Sequence, residues 1–195
     1  MTVPIDPIAV ALAVTRALDA LGIIHTIGGS IASSIAGEPR STVDIDIVAA
    51  LGEADVPALL SLLSADFYAS EEALLRAARE RSSANLIHQA TQLKIDIFVA
   101  GGTPLDEQQL RRSQTVEIAP GRTLRVHPPE DILLQKLRWY RKGGETSERQ
   151  WRDILGIIRV QAKRLDRDYL RVNAPVLGVT DLLARALREA GEELS

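Results

Sequence analysis

Two short runs, TVDIDIV at 42–48 and KIDIF at 94–98, place the tightest constraint on the fold. In each, apolar residues alternate with aspartate at period two, which is the side-chain period of a β-strand. Val43, Ile45 and Ile47 point one way and Asp44 and Asp46 the other; in the second run Ile95 and Ile97 oppose Asp96. Aspartate is depleted in strands, and two carboxylates at i and i+2 stand about 6 to 7 Å apart on one face by the strand rise. They repel unless something positive lies beside them. A divalent cation is the simplest such partner. If the two strands are sheet neighbours the three acids converge, and they offer hard oxygen ligands of the kind Mg²⁺ takes. For a lone D-x-D, an ordinary amphipathic strand with a solvated polar face is the competing explanation.

The residues ahead of the first run bear on that choice. Gly28 and Gly29 stand at the exit of a strand-like segment, IIHTI, and Ser30 at the entrance of a short helical one, IASSIAG. Backbone N–H groups, the positive end of a helix and a hydroxyl can hold phosphate oxygens there without side-chain obstruction. A phosphate cradle followed at short range by metal-binding carboxylates is suited to phosphoryl transfer. No G-x-x-x-x-G-K-[ST] is present, so the chain is not a P-loop kinase or ATPase.

Helical spacing runs from Asp6 to Leu21, around 56–65 and around 71–81, and a short helix should follow GGTP. ANLIHQ and TQLKIDIFVA, separated by a short turn, read as a hairpin, and TVEIA and TLRVH as two more strands joined by PGR. PPED then opens a helical tail, with proline in the first turn and acids that suit the helix dipole. Its pieces run from about Glu130 to Lys142, from Ser147 through WRDILGIIRVQAK, and over 166–176 and 180–190. The organisation expected is α+β: a mixed sheet flanked by helices over residues 1–127, then a C-terminal helical bundle over 128–195.

Composition excludes several classes. With 195 residues, 46% of them hydrophobic, the chain can bury a core. No cysteine is present, so neither disulfides nor a thiolate metal site are available, and His25, His88 and His127 lack zinc-ligand spacing. Without an 18-residue apolar run or a basic segment ahead of one, a cytoplasmic location and no membrane partner are expected. The net charge of −3 hides an asymmetry: between Lys136 and Arg171 there are 11 Lys/Arg against 5 Asp/Glu, a local balance of +6. That surface faces solvent or a polyanion. Trp139, Tyr140 and Trp151 are either helix-packing aromatics or a base-stacking platform.

Gly28-Gly29-Ser30, then Asp44-x-Asp46 after thirteen residues, then Asp96 on a later strand, resembles the signature of the DNA polymerase β-like nucleotidyltransferase superfamily. Arg40 and Thr42 ahead of the acids, Lys94 in KID, Lys136 in the first tail helix and Asp153 in WRD are most similar to the AbiEii-type nucleotidyltransferases, found as toxins of toxin–antitoxin pairs. The resemblance spans residues 23–160 and departs at one point: the family pattern places a second acid three residues after the first in its last motif, where this chain has Gly156.

The resemblance implies transfer of a nucleotidyl group from a nucleoside triphosphate, with two Mg²⁺ ions, or Mn²⁺ in their place, on Asp44, Asp46 and Asp96. Gly28, Gly29 and Ser30 would bind phosphates. Arg40 or Lys136 would neutralise the pyrophosphate, and Lys94 would contact substrate or pair with Asp96. Asp153 would be a catalytic acid or pair within the tail. The acceptor is left open between RNA, a protein side chain and a small molecule, with a cognate antitoxin as a further partner. An antibiotic nucleotidyltransferase, and a non-catalytic relative that binds a nucleotide or a partner, are the alternatives.

Overall fold

The computed structural model describes residues 6–39 and 44–192. Arg40, Thr42 and Val43 therefore lie outside the described residues. The chain divides into two compact units that are each discontinuous in sequence. One comprises Met1–Ile31 and Ser41–Val126, the other Ala32–Arg40 and His127–Ser195.

The first unit carries the sheet. Its strands are β1 (His25–Ile27), β2 (Ile45–Ala49), β3 (Phe67–Ala69), β4 (Ser83–His88), β5 (Lys94–Val99), β6 (Gln114–Ala119) and β7 (Arg122–Val126). They form one seven-stranded mixed sheet in the order β3-β4-β5-β2-β1-β7-β6. Strands β4 and β5 are the antiparallel hairpin that the sequence suggests, and the two strands joined by PGR, β6 and β7, also pair antiparallel. The central strand β2 runs parallel to β5 and antiparallel to β1. Strand β3 is not foreseen: three residues are too few to show a period, and only Phe67 of the three is buried.

On the apolar sheet face α4 (Glu71–Glu80) meets β4 and β5 and α3 (Val56–Leu63) meets β3, with α1 (Pro7–Ala20) against α3, and α5 (Pro104–Arg111) follows β5. Asp6 caps α1, Ser70 caps α4 and Thr103 caps α5 through side-chain oxygens that accept backbone N–H bonds. The alternation in β2 and β5 does the expected work on this face. Ile45, Ile47, Ile95 and Ile97 are at most 1% exposed and join Leu59, Leu74 and Leu86 in the core.

Helix α2 (Gly29–Ala36) begins in the first unit and ends in the second. The second unit is otherwise helical, with α6 (Pro129–Lys142), α7 (Glu148–Gln161), α8 (Arg167–Val176) and α9 (Thr180–Ala190). Its apolar cluster includes Ala32, Ala36, Leu133, Leu137, Ile154 and Leu183. The first-turn acids of α6 are buried and tie this helix to the start of α8. The Tyr169 hydroxyl donates to Asp131 at 2.5 Å, and the Asp166 N–H donates to Glu130 at 2.9 Å. Among the described residues no helix is long and apolar enough to cross a membrane.

Candidate active site

Asp46 and Asp96 are direct partners in the parallel β2–β5 ladder, so their side chains leave the same sheet face from adjacent strands. Asp44 lies one residue ahead of β2 and is exposed. Lys94 is a positive partner of these acids. It opens β5, two residues before Asp96 and on the same face, and its Nζ stands 2.7 Å from Asp96 Oδ2. The hydrogen bond that it donates to Asp96, opposed by partial burial and reinforced by the charges of Asp96, Asp44 and Asp46, holds the Lys94 ammonium above the ordinary lysine range. All three carboxylates thus act on the Lys94 ammonium.

The glycine turn meets the same acids. The Gly28 N–H donates to the Asp46 carbonyl at 2.9 Å. A Cβ on Gly29 would stand 1.7 Å from Asp46 Oδ2, and Gly29 has φ +53°. Only glycine satisfies both the left-handed backbone and that approach. Ser30, 8% exposed, follows in the first turn of α2. The Asp46 carboxylate is therefore packed against the positive end of a helix, where an anion is favoured. The donor set suits a hard divalent cation. It is not a preformed cage: among the described residues no three His, Cys, Asp or Glu side chains stand together as a metal site.

Lys136 and Asp153 meet in the helical unit. Lys136 Nζ donates to Asp153 Oδ2 at 2.8 Å, with side chains 13% and 8% exposed. Helical spacing alone makes Lys136 an exposed residue beside the Leu133–Leu137 stripe, and burial of the pair corrects that. Gly156, where a second acid is expected, has a packing reason. A Cβ there would stand 3.4 Å from Glu38 Cγ, and a Cβ on Gly37 would lie 2.9 Å from the Ile157 nitrogen. The end of α2 lies directly on α7. Glu38 thereby comes beside Gly156 from 118 positions away in sequence, and no local pattern announces that contact.

The aromatics divide. Tyr140 and Trp151 are buried with ring centroids 5.0 Å apart, while Trp139 is exposed with Lys142 over its ring. The two buried rings are packing residues.

Residues 28–174 match the family model described as "Nucleotidyl transferase AbiEii toxin, Type IV TA system". The chain belongs to the AbiEii nucleotidyltransferase family. The match begins at Gly28 and takes in the glycine turn, all three acids, Lys136 and Asp153. No curated protein matches the chain. Among solved structures, this AbiEii nucleotidyltransferase is similar to an antigenic nucleotidyltransferase-like protein from Paracoccidioides brasiliensis, with TM-score 0.56 and 19% identity over 93% of this chain and 91% of that one. It is also similar to ANT(2")-Ia in complex with adenylyl-2"-tobramycin, with TM-score 0.59 and 13% identity over 88% of this chain and 96% of that one. At such identities the likeness shows the nucleotidyltransferase fold.

Proposed function

We propose that this AbiEii enzyme moves a nucleotidyl group from a nucleoside triphosphate to a hydroxyl of RNA, with Mg²⁺ held by Asp44, Asp46 and Asp96. The observation that carries the reading is the meeting of the Gly28–Gly29 turn with Asp46 and, one strand over, Asp96. A phosphate-binding backbone and acidic oxygens at one place are what attack at an α-phosphorus needs. Divalent ions bound there supply electrostatic stabilisation of the charge that develops on the transferring group. The backbone of Gly28 and Gly29 and the Ser30 hydroxyl hold triphosphate oxygens. Asp96 takes the proton of the attacking hydroxyl as the new O–P bond forms and the bond to the β-phosphate breaks, releasing pyrophosphate.

RNA is favoured as acceptor by the outer surface of α7. Arg149, Arg152 and Arg159 recur at i, i+3 and i+10, within one narrow arc of α7, and Lys163 follows in the short turn after its end; all four are exposed. Other arginines are ion-paired, such as Arg141 with Asp181, Arg167 with Glu192 and Arg185 with Glu189. A cationic stripe suits a phosphate backbone and disfavours a cationic small-molecule acceptor. The family description also makes a cognate antitoxin the expected partner.

The test is incubation with α-labelled nucleoside triphosphates, Mg²⁺ and either total RNA or aminoglycosides. Labelled RNA with pyrophosphate release is expected from wild type and not from Asp46→Asn. Label on an aminoglycoside alone would favour the antibiotic-type alternative, and no transfer to any acceptor would favour the non-catalytic one.

A further inference from the structure

We propose that Lys94 is a resident counterion: its ammonium holds, on Asp96, the charge-compensating place that a divalent cation takes in the loaded enzyme, so metal can bind only as this ion pair breaks. The inference rests on the reading of Asp44, Asp46 and Asp96 as metal ligands.

Register and burial carry the argument. Asp96 is 20% exposed and fixed in a central strand with Asp46 as its lateral partner, whereas the Lys94 side chain is 51% exposed. The acid is built in, and the ammonium reaches it from the rim on a flexible four-carbon stem that can leave without moving the backbone. Nζ lies 2.7 Å from Asp96 Oδ2, a full charge-assisted hydrogen bond. A metal ion on that oxygen would need the same lone pairs and would stand against the ammonium at close range.

The exchange also has a direction. The single charge of the Lys94 ammonium offsets less of the acids' charge than a divalent ion does. The pair therefore holds the acids together before metal arrives and yields when it does. Once displaced, Lys94 remains on the face that Asp46 shares with the glycine turn, where it can donate to a triphosphate oxygen.

The decisive measurement is Mn²⁺ binding to the nucleotide-free full chain, followed by the electron paramagnetic resonance signal of free Mn²⁺. Lys94→Met should bind Mn²⁺ about tenfold or more tightly than wild type, because a competing unit charge near the site is gone. Lys94→Arg, which keeps the charge, should stay near wild type. Lys94→Met should also melt lower without metal and gain more from Mn²⁺ than wild type does. If Lys94→Met fails to fold alone, recovery of its circular dichroism on adding millimolar Mn²⁺ supports the inference, and no recovery overturns it. Equal or weaker Mn²⁺ affinity in Lys94→Met, with binding abolished in the Asp44→Asn, Asp46→Asn, Asp96→Asn triple variant, overturns the counterion and leaves the metal site standing. Wild-type Mn²⁺ affinity in the triple variant overturns both.

Discussion

Removing the Lys136 ammonium should cost the helical unit far more than a surface lysine would. Lys136 and Asp153 are 13% and 8% exposed and 2.8 Å apart, so the loss of one partner leaves a charge in a poorly solvated place. Breaking a buried pair from one side costs about 3 to 5 kcal/mol. For a chain of this size that corresponds to a fall in melting temperature of roughly 6 to 20 °C. Lys136→Met keeps most of the packing volume and isolates the charge effect. Combining it with Asp153→Leu should recover much of the loss, because an apolar pair of similar volume is often as stable as the ion pair it replaces. Urea denaturation of wild type, the two single variants and the double variant gives the coupling energy directly. A cost below about 1 kcal/mol for Lys136→Met, the value of an exposed pair, would refute the reasoning and return the lysine to the surface.

Two further outcomes follow from the geometry. Gly29→Ala should destabilise by about 1 to 3 kcal/mol and weaken triphosphate binding, since the new methyl meets the Asp46 carboxylate in a left-handed backbone. Gly28→Ala, whose Cβ would meet Val48 at an ordinary 3.6 Å, should be milder in both thermal melts and nucleotide titration, and the reverse order would refute the assignment. On the acid side, the hydrogen bonds from Arg185 and then from the Trp151 indole hold the Glu189 carboxyl below its ordinary range. Its contribution to stability is therefore present above the unfolded glutamate value and is lost as pH falls through the lowered one. In a Trp139→Phe background, Trp151 emission should change over that acidic window, and Glu189→Gln should abolish the change.

What could be read in advance was whatever repeats at short period. The alternation of TVDIDIV and KIDIF specifies the buried isoleucines and the acidic face, because side-chain direction in a strand depends only on parity. The β4–β5 hairpin is bounded by a local turn and was equally legible. The register that sets Asp46 against Asp96 was not, since it joins residues fifty positions apart through a parallel ladder. Nor was the burial of Lys136: its helical neighbours show which face is apolar, but Asp153 on the next helix decides that a lysine can go there. Lys94 occupies a middle position. Parity placed it on the Asp96 face, and only the structure shows the ammonium at the carboxylate.

Helix α2 has a consequence for how the protein must be made. Gly29–Ile31 build the sheet unit, while Ala32 and Ala36, 0% and 4% exposed, belong to a cluster otherwise drawn from residues beyond 130. At about 5 to 20 residues per second of synthesis, the apolar side of this helix waits on the order of ten seconds before α6 to α9 have emerged to cover it. Throughout that interval the nascent chain can form its sheet but carries a helix with no mate, a ready target for chaperones. A ribosome halted just after β7 would leave that helix permanently unpaired and the product prone to aggregate.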